Sequence, residues 1–170
     1  MTWQFVLIAL SALMLFGFVA LGVIKFDWRS CYSAYGPLWG EWWPKLNIWS
    51  VVTLLSAWLM IPVLLECSVD NPWQFTGFLA PVFLSLVAVS PNYQEGGFYN
   101  AIHQIGAWGG VAIIVLYTIF VNWHLVWIFA PLLIIAIILG LWKKGTILFW
   151  LEMAVYLSTY VILIAMAIPK

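Results

Sequence analysis

Charge is what this sequence has least of. Its 170 residues include six Lys plus Arg and six Asp plus Glu, a charged fraction of 7%, against roughly 25% in an average soluble domain. The formal net charge is zero, so no basic face exists to compete for nucleic acid, and a nucleic-acid partner is not expected. Histidine is scarcer still. His103 and His124 cannot make a three-histidine zinc site, and as one helical span they would stand about 30 Å apart at 1.5 Å per residue. Also missing are a phosphate-cradling Gly-rich loop, a G-x-S-x-G elbow, a mid-span Lys for a Schiff base and a C-x-x-C pair. No cofactor or metal is therefore expected. Cys31 and Cys67 fall near opposite ends of the layout below, too far apart for a disulfide, which predicts two free thiols buried as small apolar groups.

What is present in excess is apolar surface: 66% of the residues are hydrophobic and the mean hydropathy is +1.08. Such a chain has a bilayer as its solvent, where every backbone N–H and C=O must be bonded internally. The apolar runs are too long for barrel strands of about ten residues, so the spans are helices. The reading is all-α, a single integral membrane bundle of six transmembrane helices, at about 4–24, 48–67, 75–90, 101–121, 124–142 and 146–168. The N-terminal residues Met1 to Gln4 lack a basic n-region and a small-residue cleavage site, so the first segment reads as a retained span. The third span contains Pro81 and is the shortest.

The one long connection, Phe26 to Asn47, carries Tyr32, Tyr35, Trp39, Trp42 and Trp43 among Gly and Pro. This composition suits the membrane interface, where Trp and Tyr rings sit at headgroup depth. The first, third and fifth connections hold Lys25, Arg29, Lys45, Lys143 and Lys144, whereas the other side holds Lys170. That asymmetry puts those connections in the cytoplasm and both termini outside.

Ionisable groups within a bilayer are costly unless they face a bundle interior or water, which makes each a site candidate. Glu152 lies about two turns into the sixth span, with Tyr156 and Tyr160 at i+4 and i+8 and Ser158 and Thr159 nearby, a polar stripe on one face. The plain structural alternative is a carboxyl bonded to a neighbouring helix. His103, with Tyr99 and Asn100 on the preceding turn, falls at the same end of the bundle, so it could pair with Glu152 or share a polar ligand. Arg29, Tyr32, Tyr35 and Tyr93 fall near that end as well. At the other end, Glu66 and Asp70 read as solvated, with Asp70 or Asn71 capping the short helix that follows. Gly106, Gly109 and Gly110 in the fourth span, and Gly17 with Ala12 and Ala20 in the first, offer surfaces for close helix contact within the chain or in a homo-oligomer.

Three stretches carry a resemblance: Ser30 to Tyr35, Leu65 to Tyr93 and Leu148 to Tyr160. Together they resemble an uncharacterised family of small six-span membrane proteins from gut anaerobes and their phages. That family has a Ser- and Tyr-rich segment after helix one, and a turn similar to Leu65, Glu66, Cys67, Ser68 before an N-P-W-Q-F-like entry to helix three. A small-residue and Pro stretch follows, similar to Ala88 to Pro91. A His at the start of helix four matches His103, and an acidic residue in the last helix matches Glu152. The chain departs from the pattern in its Trp-rich stretch, Trp39 to Trp43. The resemblance implies the six-span fold, a bacterial inner membrane and the choice of His103 and Glu152, and no activity.

The leading functional expectation is binding of a small molecule or lipid in a polar pocket at one end of the bundle, formed by Glu152, His103, Tyr156, Asn100, Tyr32, Tyr35 and Arg29, in the manner of a transport subunit. The alternatives are an oligomeric structural or pore-forming membrane effector and an intramembrane lipid-acting enzyme using His103 and Glu152. In every case membrane lipids are partners.

Overall fold

The computed structural model describes residues 2–42 and 47–168. Met1, Trp43, Pro44, Lys45 and Lys170, which enter the readings above, lie outside the described residues. The chain is an all-α bundle. Its helices are α1 (Thr2–Phe26), α2 (Tyr35–Trp42), α3 (Ile48–Glu66), α4 (Gln74–Ala88), α5 (Gly97–Asn122), α6 (Phe129–Trp142) and α7 (Ile147–Ala167). No strand occurs among the described residues. Four segments are long and apolar enough to cross a membrane: Trp3–Phe26, Ile48–Glu66, Gly97–Trp142 and Ile147–Ala167. The third has 46 residues, more than twice the roughly 20 that one crossing needs. It is two helices, because Asn122 leaves the helical region (φ −154°, ψ 77°) and the chain continues through a 3-10 stretch, Trp123–Ile128, into α6. α4, with 15 residues, falls short of the roughly 20 of one crossing.

The six long helices run alternately up and down, which gathers the first connection, residues 89–96 and residues 143–146 at one end. Contacts confirm it. Phe149 N–H donates to the Ser30 carbonyl at 2.9 Å, and a Cβ on Gly36 would stand 3.2 Å from the Pro91 oxygen. At the opposite end, the carbonyls that the last turn of α3 leaves unpaired find donors. Tyr117 and Ser68 hydroxyls each donate to Leu64 C=O at 2.7 Å, and Gln74 Nε2 donates to Leu65 C=O at 2.8 Å. The entry to α4 differs from expectation: neither Asp70 nor Asn71 is its N-cap, a position held by Trp73. Asn71 instead closes a local turn, its Oδ1 accepting from Trp73 N–H at 2.9 Å, while Asp70 takes a left-handed φ of 65°. Both cysteines are free.

Glycine lets α5 approach α4. A Cβ on Gly106 would come within 2.7 Å of the Phe83 carbonyl oxygen, and one on Gly109 within 2.3 Å of the Phe83 ring. This close-contact face is thus spent inside the chain. Gly17 on α1 has nothing within 4 Å of its Cβ position. Gly106→Ala should lower stability by about 1–3 kcal/mol, since backbone cannot yield to the added methyl, whereas Gly17→Ala should leave it unchanged or raise it slightly. Thermal unfolding of the two variants in detergent, followed by circular dichroism, checks the contrast; equal melting temperatures would contradict it.

Candidate functional site

After α1 the chain turns back at Asp27, whose φ is 62° and whose carboxylate accepts from Trp28 N–H at 2.7 Å. Trp28 packs against Phe149 and Trp150 at centroid distances of 5.4 and 5.0 Å, and the Tyr35 hydroxyl donates to the Asp27 carbonyl at 2.9 Å. These contacts fold the first connection into the bundle. Tyr32, Tyr35 and Trp39 are 2%, 1% and 5% exposed, so these three rings are core, not the interfacial anchors that their composition suggests. The Tyr32 and Tyr35 hydroxyls are bonded inside, to Thr53 Oγ1 and to the Asp27 carbonyl.

Burying the connection creates an electrostatic demand. Tyr32–Ala34 form one 3-10 turn, whose first N–H has no partner within the turn. Glu152 supplies it: its Oε2 accepts the Tyr32 backbone N–H at 2.5 Å. The carboxyl therefore caps, from α7, a turn 120 residues away in sequence. The Tyr32 hydroxyl in turn shares a bond of 2.8 Å with Thr53 Oγ1 on α3. Desolvation pushes the Tyr32 phenol well above its ordinary ionisation range; the Thr53 bond works against this and the Glu152 charge with it.

The stripe on α7 faces a partly open cleft of about 130 Å³ between α3, α4, α5 and α7. Its polar wall holds Glu152, Tyr156, Tyr160, Thr159, Tyr32 and Ser33, and most of the rest is aliphatic. Most of these groups are already tied: Thr159 bonds the Val155 carbonyl at 2.8 Å, and Tyr160 shares a bond of 2.7 Å with Ser11 Oγ on α1, which donates onward to the Ser56 carbonyl at 2.7 Å. Tyr156 differs. Its ring meets the Tyr32 ring edge-on at 6.1 Å, and its hydroxyl has no hydrogen bond among the described residues. Glu152 has no salt bridge to a described residue either. The fully buried Ser11, Thr53 and Ser56, absent from the expected site, were visible in sequence only as isolated hydroxyls in apolar runs.

The other expected site residues divide into different surroundings. Tyr35 lies under α1, where a Cβ on Gly22 would stand 3.2 Å from its ring. Arg29 is exposed on the first connection. Asn100 sits on the outer face of α5, its Oδ1 3.5 Å from Gln104 Nε2. His103 shares the end of the bundle with Glu152 but does not pair with it. Its ring stacks on Tyr93 at 4.0 Å and its Nδ1 lies 3.4 Å from Ser90 Oγ. Tyr93 reaches back to the first connection through a contact of 3.3 Å between its hydroxyl and Cys31 Sγ. The expected His–Glu pair is thus replaced by a His–Tyr stack, because the connection after α4 folds its own aromatic ring over the imidazole. Among the described residues no group of three His, Cys, Asp or Glu side chains is placed to hold a metal ion.

The fold and the cavity define an all-α membrane bundle with one interior carboxyl facing an apolar chamber. Comparison with family models, with characterised proteins and with solved structures returns no match for the chain.

Removing Glu152 strands the Tyr32 N–H, and a buried polar group without its bond costs about 1–3 kcal/mol. Glu152→Leu should accordingly lower the melting temperature in detergent more than Glu66→Leu, since Glu66 is exposed at the end of α3. Glu152→Gln, which keeps an acceptor oxygen, should fall between them. Equal melting temperatures for the two Leu variants would remove Glu152 as the partner of the connection.

Proposed function

We propose that the protein binds a small, largely apolar molecule in the chamber between α3, α4, α5 and α7, with Glu152 and Tyr156 at its polar end, and serves as a membrane-embedded binding or transport subunit. The observation that carries this reading is the Tyr156 hydroxyl, which lines the cavity with no protein partner beside a carboxyl that has one bond. Tyr156 is half-buried against the cleft, and mostly apolar pockets with a few convergent polar groups are the usual form of a ligand site. The size is informative as well. An engineered cavity of about 150 Å³ takes up benzene, so about 130 Å³ suits a ligand of comparable bulk. Kinship with the small six-span family belongs to the same proposal and rests on the three sequence stretches.

The lipid-enzyme alternative finds no support in the geometry, since His103 is engaged by Tyr93 and Ser90 away from the Glu152 carboxyl. For a pore, the Gly106 and Gly109 face is already taken by α4. The proposal includes orientation: Lys25, Arg29, Lys143 and Lys144 gather at the first-connection end, which faces the cytoplasm under the positive-inside rule.

Native mass spectrometry after gentle extraction should find a low-mass adduct on the wild-type protein that is depleted in Glu152→Gln and Tyr156→Phe. No adduct on the wild type, together with unchanged behaviour of both variants in ligand-binding screens, would defeat the reading. For orientation, a cysteine introduced at the exposed Glu41 in a background lacking Cys31 and Cys67 should resist a membrane-impermeant thiol reagent in intact cells and react after permeabilisation. Labelling of intact cells would reverse the topology.

A further inference from the structure

We infer that the ligand of the Glu152 chamber is a small monocationic amine, an inference that rests on the binding role proposed above and names its substrate class. The chamber contains a carboxyl and no basic side chain: Glu152, Tyr32, Tyr156 and Tyr160 line it with Ser33, Ser56, Thr159 and aliphatic groups. No Lys, Arg or His among the described residues forms an ion pair with Glu152, and the one hydrogen bond it accepts comes from an uncharged backbone amide. In its ionised form a carboxyl so placed has no countercharge among the described residues. A charge in an apolar interior is tolerated when paired and bonded, and an ammonium head brings both the charge and N–H donors that a carboxylate oxygen accepts at short range.

The aromatic wall points the same way. Tyr32, Tyr156 and Tyr160 border the chamber, and tyrosine faces attract cations through the ring quadrupole, more strongly where water is excluded. A neutral alcohol of equal size would gain a hydrogen bond and neither of these attractions. An anionic ligand would meet the carboxyl as a like charge with no cation to offset it. Away from the head, Ala57, Met60, Leu64, Ala80, Leu84, Val87 and Ile114 make the walls aliphatic, which suits a compact hydrocarbon or phenyl body. The resulting ligand is an amphiphile of about benzene's bulk with a single ammonium group.

The test compares three probes of nearly equal shape on the purified protein in nanodiscs: benzylamine, benzyl alcohol and benzoate. Binding is read by isothermal titration calorimetry, with empty nanodiscs subtracted for partitioning into lipid. Benzylamine should bind the wild-type protein at least tenfold more tightly than benzyl alcohol, benzoate should not bind, and Glu152→Gln should lose that preference. Tyr156→Phe, which keeps the carboxyl, should preserve the order of the probes. Equal affinity for benzylamine and benzyl alcohol would overturn the amine assignment while leaving the chamber as a binding site. Absence of binding by all three probes would overturn both. The wild-type comparison decides the question even if Glu152→Gln fails to fold.

Discussion

A backbone amide enclosed by hydrocarbon must find an acceptor, and in this bundle the bond from the Tyr32 N–H to the Glu152 carboxyl meets that demand. Much else follows from it. With the first N–H of the 3-10 turn satisfied, the connection after α1 can lie inside the helices rather than over them. Tyr32 and Tyr35 become core, Tyr32 reaches Thr53 on α3, and Phe149 at the start of α7 donates to Ser30. A connection that the sequence marks as an interfacial loop is therefore a layer of the core. It joins α1, α3 and α7 at the end where helix–helix packing alone would be weakest.

Most of the helical layout was legible because length and hydropathy alone decide it: runs near 20 apolar residues, separated by short polar breaks, admit one solution in a bilayer. The Asn122 break was legible for the same reason, since Gly97–Trp142, at 46 residues, cannot be one crossing. Glu152 stood out because a carboxylate two turns into an apolar run has no solvent to reach. What could not be read was which partner it takes. The sequence marks Tyr32 by its polar side chain at that end, yet the contact uses its main chain, which carries no sequence signal. His103 was placed at the correct end and given the wrong neighbour, because its position on α5 says nothing about a Tyr93 ring folded back from the connection after α4. Ser11, Thr53 and Ser56 were invisible for a third reason. A single hydroxyl in a span can bond the preceding turn of its own helix, as Ser56, Ser158 and Thr159 do, and only the fold separates those from hydroxyls such as Ser11 and Thr53 that reach another element.

Packing on the two sides of α5 explains why a chamber exists at all. Gly106 and Gly109 draw α5 onto Phe83 of α4 until no side chain fits between them. Gly106, Ala107 and Gly110 of α5, with Ala57 of α3 and Ala80 of α4, line the cleft and leave volume that larger side chains would fill. Larger side chains at Ala57 or Ala80 would fill this space, and the sequence places small ones there. Under the binding role proposed above, an occupant of the cleft supplies contacts to the alanine and glycine wall and a partner to the Tyr156 hydroxyl.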